Sequence, residues 1–273
     1  MNAAPSTPAR PGRLMADTAV ITHRNLLRYL RLPQLLAGAS IQPLLFLLMF
    51  TYVFGNALQP VVPEPYDYLQ WLLPGVLIQM TAFGALNTAI GLTEDLNSGV
   101  LDRFLSLPMS RTAMLAGRAL ADLIRNTAAV GLLLALGLLL GFRVTSTLPR
   151  TVLALALGLA FAYALSWVMA TVALLVKNLE ATQLILSIAI MPFIFISSVF
   201  LPTQPMPDWL RVFADHQPVT VNANTMRALM LGPETLLAGQ TLPGQLMASI
   251  TWITAFTLTS GLLAVQTYKR AVD

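Results

Sequence analysis

The sequence predicts an all-α protein threaded through a membrane. Six transmembrane helices are expected, preceded by an amphipathic interfacial helix, with a helical extracellular segment between the fifth and sixth spans. Three observations predict this class. Of 273 residues, 56% are hydrophobic and only 10% are charged. A soluble domain carries roughly 25% charged residues, so this chain has too few to cover a water-facing surface. Its apolar residues fall in runs near the ~20 residues that cross ~30 Å of hydrocarbon. Lys and Arg are shared unequally between the segments that join those runs.

Residues 1–12, rich in Pro, Ala and Ser, are expected to form a disordered cytoplasmic tail. No short apolar stretch with a small-residue cleavage site follows them, so no cleavable signal is expected. Residues 13–273 are expected to form one membrane domain. The first span is expected over 32–54, with Pro33 where a helix start tolerates it. The second is expected over 69–92. Residues 113–142 read as helical, but Arg118, Asp122 and Arg125 lie in the first half, which confines the expected lipid-facing part to 126–142. The fourth span is expected over 151–176, the fifth over 181–201 with Pro192 breaking it, and the sixth over 244–268.

With the N-terminus inside, Arg10, Arg13, Arg24, Arg28, Arg31, Arg103, Arg111, Arg118, Arg125, Lys177, Lys269 and Arg270 face the cytoplasm. Arg143, Arg150, Arg211 and Arg227 face outward. Twelve of the 16 basic residues are then inside, as the positive-inside rule requires. The expectation is a multi-pass protein of the cell (plasma or inner) membrane with both termini cytoplasmic.

Between Arg13 and Arg31, a step of ~100° per residue puts Arg13, Asp17, Arg24, Arg28 and Arg31 on one helix face. Met15, Ala19, Leu26 and Leu30 fall opposite, the pattern of a helix lying in the interface. The outer segment 202–243 has helix-like apolar spacing but is too polar to span. It reads either as two short helices dipping into the outer leaflet or as a solvent-exposed cap.

Several chemistries are excluded. There is no Cys, hence no thiolate nucleophile or Cys-held metal. The two Lys, Lys177 and Lys269, follow no Gly-rich turn, so the chain has no phosphate-binding loop of that type. His23 and His216 are expected on opposite sides and cannot share a metal. No Ser elbow near His216 suggests a hydrolase. Glu94, Asp95, Asp122 and Glu180 are expected at cytoplasmic ends, leaving the spans without the midplane carboxylates usual in ion-driven carriers. The spans instead hold neutral polar residues: Gln42, Gln79, Asn87, Ser166, Gln183, Ser187, Ser197 and Ser198. These serve either as interhelical hydrogen-bonding groups or as a wall for amphipathic cargo. No catalytic or metal site is expected.

The cytoplasmic loop Glu94 to Arg111 carries an acidic start, Glu94-Asp95, then Gly99, Arg103, Pro108 and Arg111. This resembles the loop after the second span in permeases of the type-2 ABC exporter family, and more narrowly the daunorubicin-resistance-like multidrug branch. Gly117, Arg118, Asp122 and Arg125 are similar to the charged start of that family's third span. Pro202, Met206, Pro207, Trp209, Leu210, Pro218, Arg227 and Gly232 are similar to its outer segment. Asn97-Ser98 departs from the pattern, since many members carry more charge there.

The resemblance implies a permease with no ATPase site of its own. ATP and Mg would reside on a separate ABC ATP-binding subunit, and a second permease copy would complete the assembly. Glu94 to Arg111 would dock on the ATPase, with Gly99 bending the loop, Leu101, Phe104, Leu105 and Leu107 inserting, and Asp102 and Arg103 fixing register. The Asp122/Arg125 pair is either a local salt bridge or a lever from that loop into the third span. Membrane lipid and a hydrophobic drug, antibiotic or lipid-like cargo are the other expected partners, with no nucleic acid. The alternatives are a stand-alone secondary carrier and a non-transport structural or regulatory membrane protein.

Overall fold

The computed structural model describes residues 15–16, 18–23, 27, 33–97, 111–237 and 239–272. Helices α1 (Pro33–Leu48), α2 (Tyr68–Asn97), α3 (Arg111–Leu139), α4 (Leu148–Val176), α5 (Leu179–Phe195), α6 (Asp208–His216), α7 (Pro218–Met230) and α8 (Leu242–Val272) account for most of these. Among the described residues there is no strand.

Five stretches are long and apolar enough to cross a membrane: Ile41–Val61, Tyr68–Asp95, Leu120–Leu139, Leu148–Val176 and Leu242–Ala264. The helix that carries the first begins at Pro33. Gly55 takes helical angles rather than ending the rod, which continues as a π-helical turn over Met49–Phe54, an α turn over Gly55–Leu58 and a 3-10 turn over Gln59–Val61. The Gln59 side chain then closes the loop, donating to Tyr66 O at 2.9 Å and accepting from Tyr68 N at 2.7 Å.

The third candidate stretch lies on α3. Its apolar stretch starts at Leu120 and so includes Asp122 and Arg125. Both are buried between helices, facing protein. Glu94 and Asp95, expected at the start of a loop, lie on α2, which is helical to Asn97.

The fifth element is apolar but short. Its 17 residues are about 26 Å long, under the ~30 Å of a hydrocarbon core. A two-residue turn joins it to α4. Lys177 caps α4 in the left-handed conformation at φ 57°, and Asn178 Oδ1 accepts from Ala181 N at 2.9 Å to start α5. Beyond Pro192, α5 gives way to a buried turn over 196–200.

Helices α2 and α4 form the centre, and α1, α3, α5, α7 and α8 pack around them. The α2 stripe Trp71, Leu72, Leu73, Val76, Leu77 and Ile78 is almost wholly removed from solvent. By contrast α1, the π-helical turn after it and α8 leave Leu45, Tyr52, Val53, Met247, Leu258 and Leu262 exposed, as lipid-facing helices do. At the N-terminal side, Ile21 and Thr22 are buried, and Thr22 Oγ1 lies 3.1 Å from Gly117 O of α3. Gly75 of α2 faces the 196–200 turn so closely that a Cβ there would sit 2.5 Å from Val199 O, whereas a Cβ on Gly131 would meet nothing.

Gly75→Ala is expected to destabilise the purified protein by about 1–3 kcal/mol through backbone overpacking. Gly131→Ala should be neutral or slightly stabilising. Thermal unfolding of the two variants in the same detergent checks the contrast.

Candidate functional site

The bundle places polar side chains in three groups. The first is a cleft of about 200 Å³ between α1, α2 and α5. Gln42, Asn87, Gln183 and Ser187 give it polar lining, with Phe83, Leu86 and Leu186 beside them. Of the lining side chains, Gln42 and Gln183 are exposed, so the cleft is not sealed. The neutral lining offers donors and acceptors without a fixed charge.

The second group lies directly behind the cleft wall. Arg125 Nη2 donates to Gly84 O at 2.6 Å and to Asn126 Oδ1 at 3.3 Å, and Gly84 itself lines the cleft. Asp122, fully buried, accepts from Thr88 Oγ1 at 2.5 Å and stands 3.8 Å from Arg125. Ser166 of α4 lies 3.3 Å from the Thr88 hydroxyl and donates to Ala162 O at 3.0 Å. A carboxylate and a guanidinium are tolerated here because each also holds neutral partners. The network ties α2, α3 and α4 together at the cleft.

The third group joins α7 to the end of α5. Every residue of α7 from Pro218 to Met230 is buried. Gln217, Thr220, Asn224 and Arg227, spaced on one helix face, all turn toward residues 193–200. Gln217 Nε2 donates to Phe193 O at 2.8 Å, and Thr220 Oγ1 accepts from Ser198 N at 3.1 Å. Asn224 Oδ1 accepts from Ser198 Oγ at 2.7 Å and from Arg227 Nη1 at 2.8 Å. Arg227 also donates to Ser198 O and to Trp71 O, both at 2.9 Å, and lies 3.7 Å above the Trp71 ring. Burial pushes the Arg227 pKa down to about 9, so the side chain keeps its charge at neutral pH. On the opposite face, Ser249 donates to Asn222 at 2.7 Å and Thr225 donates to Gln245 O at 3.1 Å, which fastens α7 to α8.

Several residues singled out in the sequence are placed by this geometry. Glu94 and Asp95 end α2, and Asp122 and Arg125 meet across a turn of α3. Pro202 is buried, Pro207 precedes α6, Trp209 on α6 is 76% exposed, Pro218 opens α7, and Arg227 is fully buried. The alternative of a solvent-exposed cap fails for α7, whose polar stripe is consumed inside the bundle. Arg24, Arg28, Arg31, Gly99, Arg103, Phe104 and Pro108 lie outside the described residues. Arg111 opens α3 and Arg118 lies on it, with their side chains outside those described. Sequence reasoning missed Thr88, Trp71, Gln217 and Asn224. The 3-4-3 spacing of Gln217, Thr220, Asn224 and Arg227 was a usable signal for a polar helix face.

Long apolar helices that enclose buried charge define a polytopic membrane protein. The chain belongs to the ABC-2 type transporter family, whose model matches residues 17–231. It is 35% identical over 225 residues to the daunorubicin resistance ABC transporter permease protein DrrB1 of Streptomyces coeruleorubidus, covering 82% of this chain and 78% of that one. It is 29% identical over 225 residues to a protein of Mycobacterium tuberculosis named as a probable doxorubicin resistance ABC transporter permease, DrrC, covering 81% and 79%.

Asp122→Ala should strip the Arg125 guanidinium of a buried anion and cost about 3–5 kcal/mol. A large fall in detergent melting temperature and in membrane yield is the expected outcome, and Asp122→Asn should be milder because it retains an acceptor for Thr88.

Proposed function

We propose that this chain is the membrane subunit of an ATP-driven exporter that moves hydrophobic drugs, antibiotics or lipid-like molecules out of the cell. A separate ABC ATP-binding subunit supplies the energy and holds ATP and Mg. The observation that carries the reading is the uncharged polar cleft between α1, α2 and α5, in a chain of the ABC-2 type family. Gln42, Asn87, Gln183 and Ser187 suit the few hydrogen-bonding groups of a largely apolar cargo. At about 200 Å³ the cleft is smaller than the roughly 300–1,000 Å³ of drug-sized sites, and two copies facing each other would supply the rest.

In this reading the chain crosses the membrane six times, with α5 and its turn over 196–200 as the fifth crossing. Both termini face the cytoplasm of the plasma or inner membrane. What supports this is the distribution of Lys and Arg, together with α5 starting at the end of α4 and ending against α7. The N-terminal helix, with Arg24, Arg28 and Arg31, lies in the cytoplasmic interface. The loop Glu94 to Arg111 docks on the ATPase, and Asp122 and Arg125 relay its motion to the cleft wall at Gly84. Export, rather than uptake, is carried over from the resistance named in the relatives.

Pull-down of the chain from its native membrane in mild detergent should bring an ATP-binding subunit in stoichiometric amount, with ATPase activity. Gly99→Pro combined with Arg103→Ala should lose that subunit while leaving membrane insertion intact. A chain that purifies alone with no nucleotide-dependent activity would favour a stand-alone carrier or a non-transport membrane protein. Because the chain has no Cys, Ser187→Cys provides a unique thiol. In a face-to-face pair it should cross-link to its copy under mild oxidation, and exclusively monomeric product would count against that pairing.

A further inference from the structure

Among the described residues, Arg227 is the one polar link from α7 to α2, since the other stripe residues of α7 reach only the end of α5. Three separately connected elements therefore meet at one guanidinium: α2 through Trp71, the 196–200 turn through Ser198, and α7 through Asn224. Behind this junction the seam is closed by backbone, with Gly75 against Val199, which is fully buried.

The character of the partners matters as much as their number. Among the described residues, no carboxylate bonds to Arg227, whose charge is met by two carbonyls, an amide oxygen and an indole face. Carbonyls just past the C-terminal end of α5 carry partial negative charge, which suits a cation. Neutral partners hold a guanidinium in a defined geometry through its planar fork. They compensate its lost hydration less completely than a carboxylate would, so admitting water to the seam returns solvation to the cation. A junction of this kind closes with precision and still reopens.

We propose that Arg227 is a latch, a positioning residue that holds the seam between α2, the 196–200 turn and α7 shut, and that cargo leaves when this seam opens and Arg227 is hydrated. The inference rests on the exporter reading and adds to it the place where the outer end opens. Lys retains the charge of Arg but not the fork, so it cannot reach Trp71 O, Ser198 O and Asn224 Oδ1 together. Asn224→Asp acts in the opposite direction, setting a carboxylate beside the cation and strengthening the closed state.

The test uses the complete complex with its ATP-binding subunit and a single thiol at the seam, Val199→Cys, in this Cys-free chain. A membrane-impermeant maleimide is added from outside, with and without vanadate trapping of nucleotide, and drug export is measured in parallel. In the Arg227 parent, the thiol should be protected without nucleotide and labelled in the trapped complex. Arg227→Lys should label about tenfold faster without nucleotide, the shift expected for losing one charge-assisted hydrogen bond. Asn224→Asp should stay protected in both states while export falls about tenfold, from the added charge-assisted contact.

A purely structural role for Arg227 would lower thermal stability in Arg227→Lys without changing how labelling responds to nucleotide, and that result overturns the latch. So does labelling that ignores nucleotide in a parent complex that exports normally, or an Asn224→Asp variant that opens as Arg227→Lys does. A parent complex with no nucleotide-dependent export rejects the exporter reading itself, and the latch with it.

Discussion

Inside a packed bundle a broken backbone must be satisfied by protein groups, and the end of α5 is where this bundle breaks. Pro192 cannot donate to its helix, and the last carbonyls of any helix lack intrahelical partners. Here those groups are met from α7. Gln217 reaches Phe193 O, Thr220 receives Ser198 N, and Arg227 reaches Ser198 O. Tyr68 adds a bond to Phe200 O at 3.0 Å. A helix of 13 residues can thus sit wholly buried among longer ones, because its polar stripe matches the break in its neighbour. The carbonyl end of α7 is served in turn by the loop before α4, where Thr145 N and Ser146 N both donate to Met230 O at 3.2 Å.

Buried charge is handled in two different ways. Asp122 and Arg125 lie one helical turn apart and each holds a neutral partner on α2, Thr88 for the carboxylate and Gly84 O for the guanidinium, so the charges compensate locally. Removing one partner from such a pair leaves an ion in a medium where the penalty is several kcal/mol. Arg227 instead has its charge met by dipoles and a π face. The first arrangement suits a rigid wall behind the cleft, and the second suits a junction that changes its hydration. Both contact α2, the first through Gly84 and Thr88 and the second through Trp71.

Much of the helical pattern was legible in the sequence. Long apolar runs have few alternatives in a chain this poor in charge, so a long-helix pattern is legible in it. A charged residue in a linear sequence reads as a boundary, and only the facing helices reveal that Asp122 and Arg125 have partners. Gly55 adopts helical angles, which carry the helical path on past Phe54. The eight neutral polar residues of the spans were visible as a set, but not the division of Gln42, Asn87, Gln183 and Ser187 into a cleft, Ser166 into a buried network, and Ser197 and Ser198 into the turn against α7.

The sequence by itself determined that the chain is helical and that it lives in lipid. Those properties follow from composition and run length, which do not depend on how helices are arranged. Tertiary structure decided which polar groups face one another, that α7 lies inside the bundle, and that Arg227 joins three elements. Partners such as Trp71 and Arg227 are separated by 156 positions in the chain. No local periodicity encodes such a distance, and only the packing of α2 against α7 brings the two residues together.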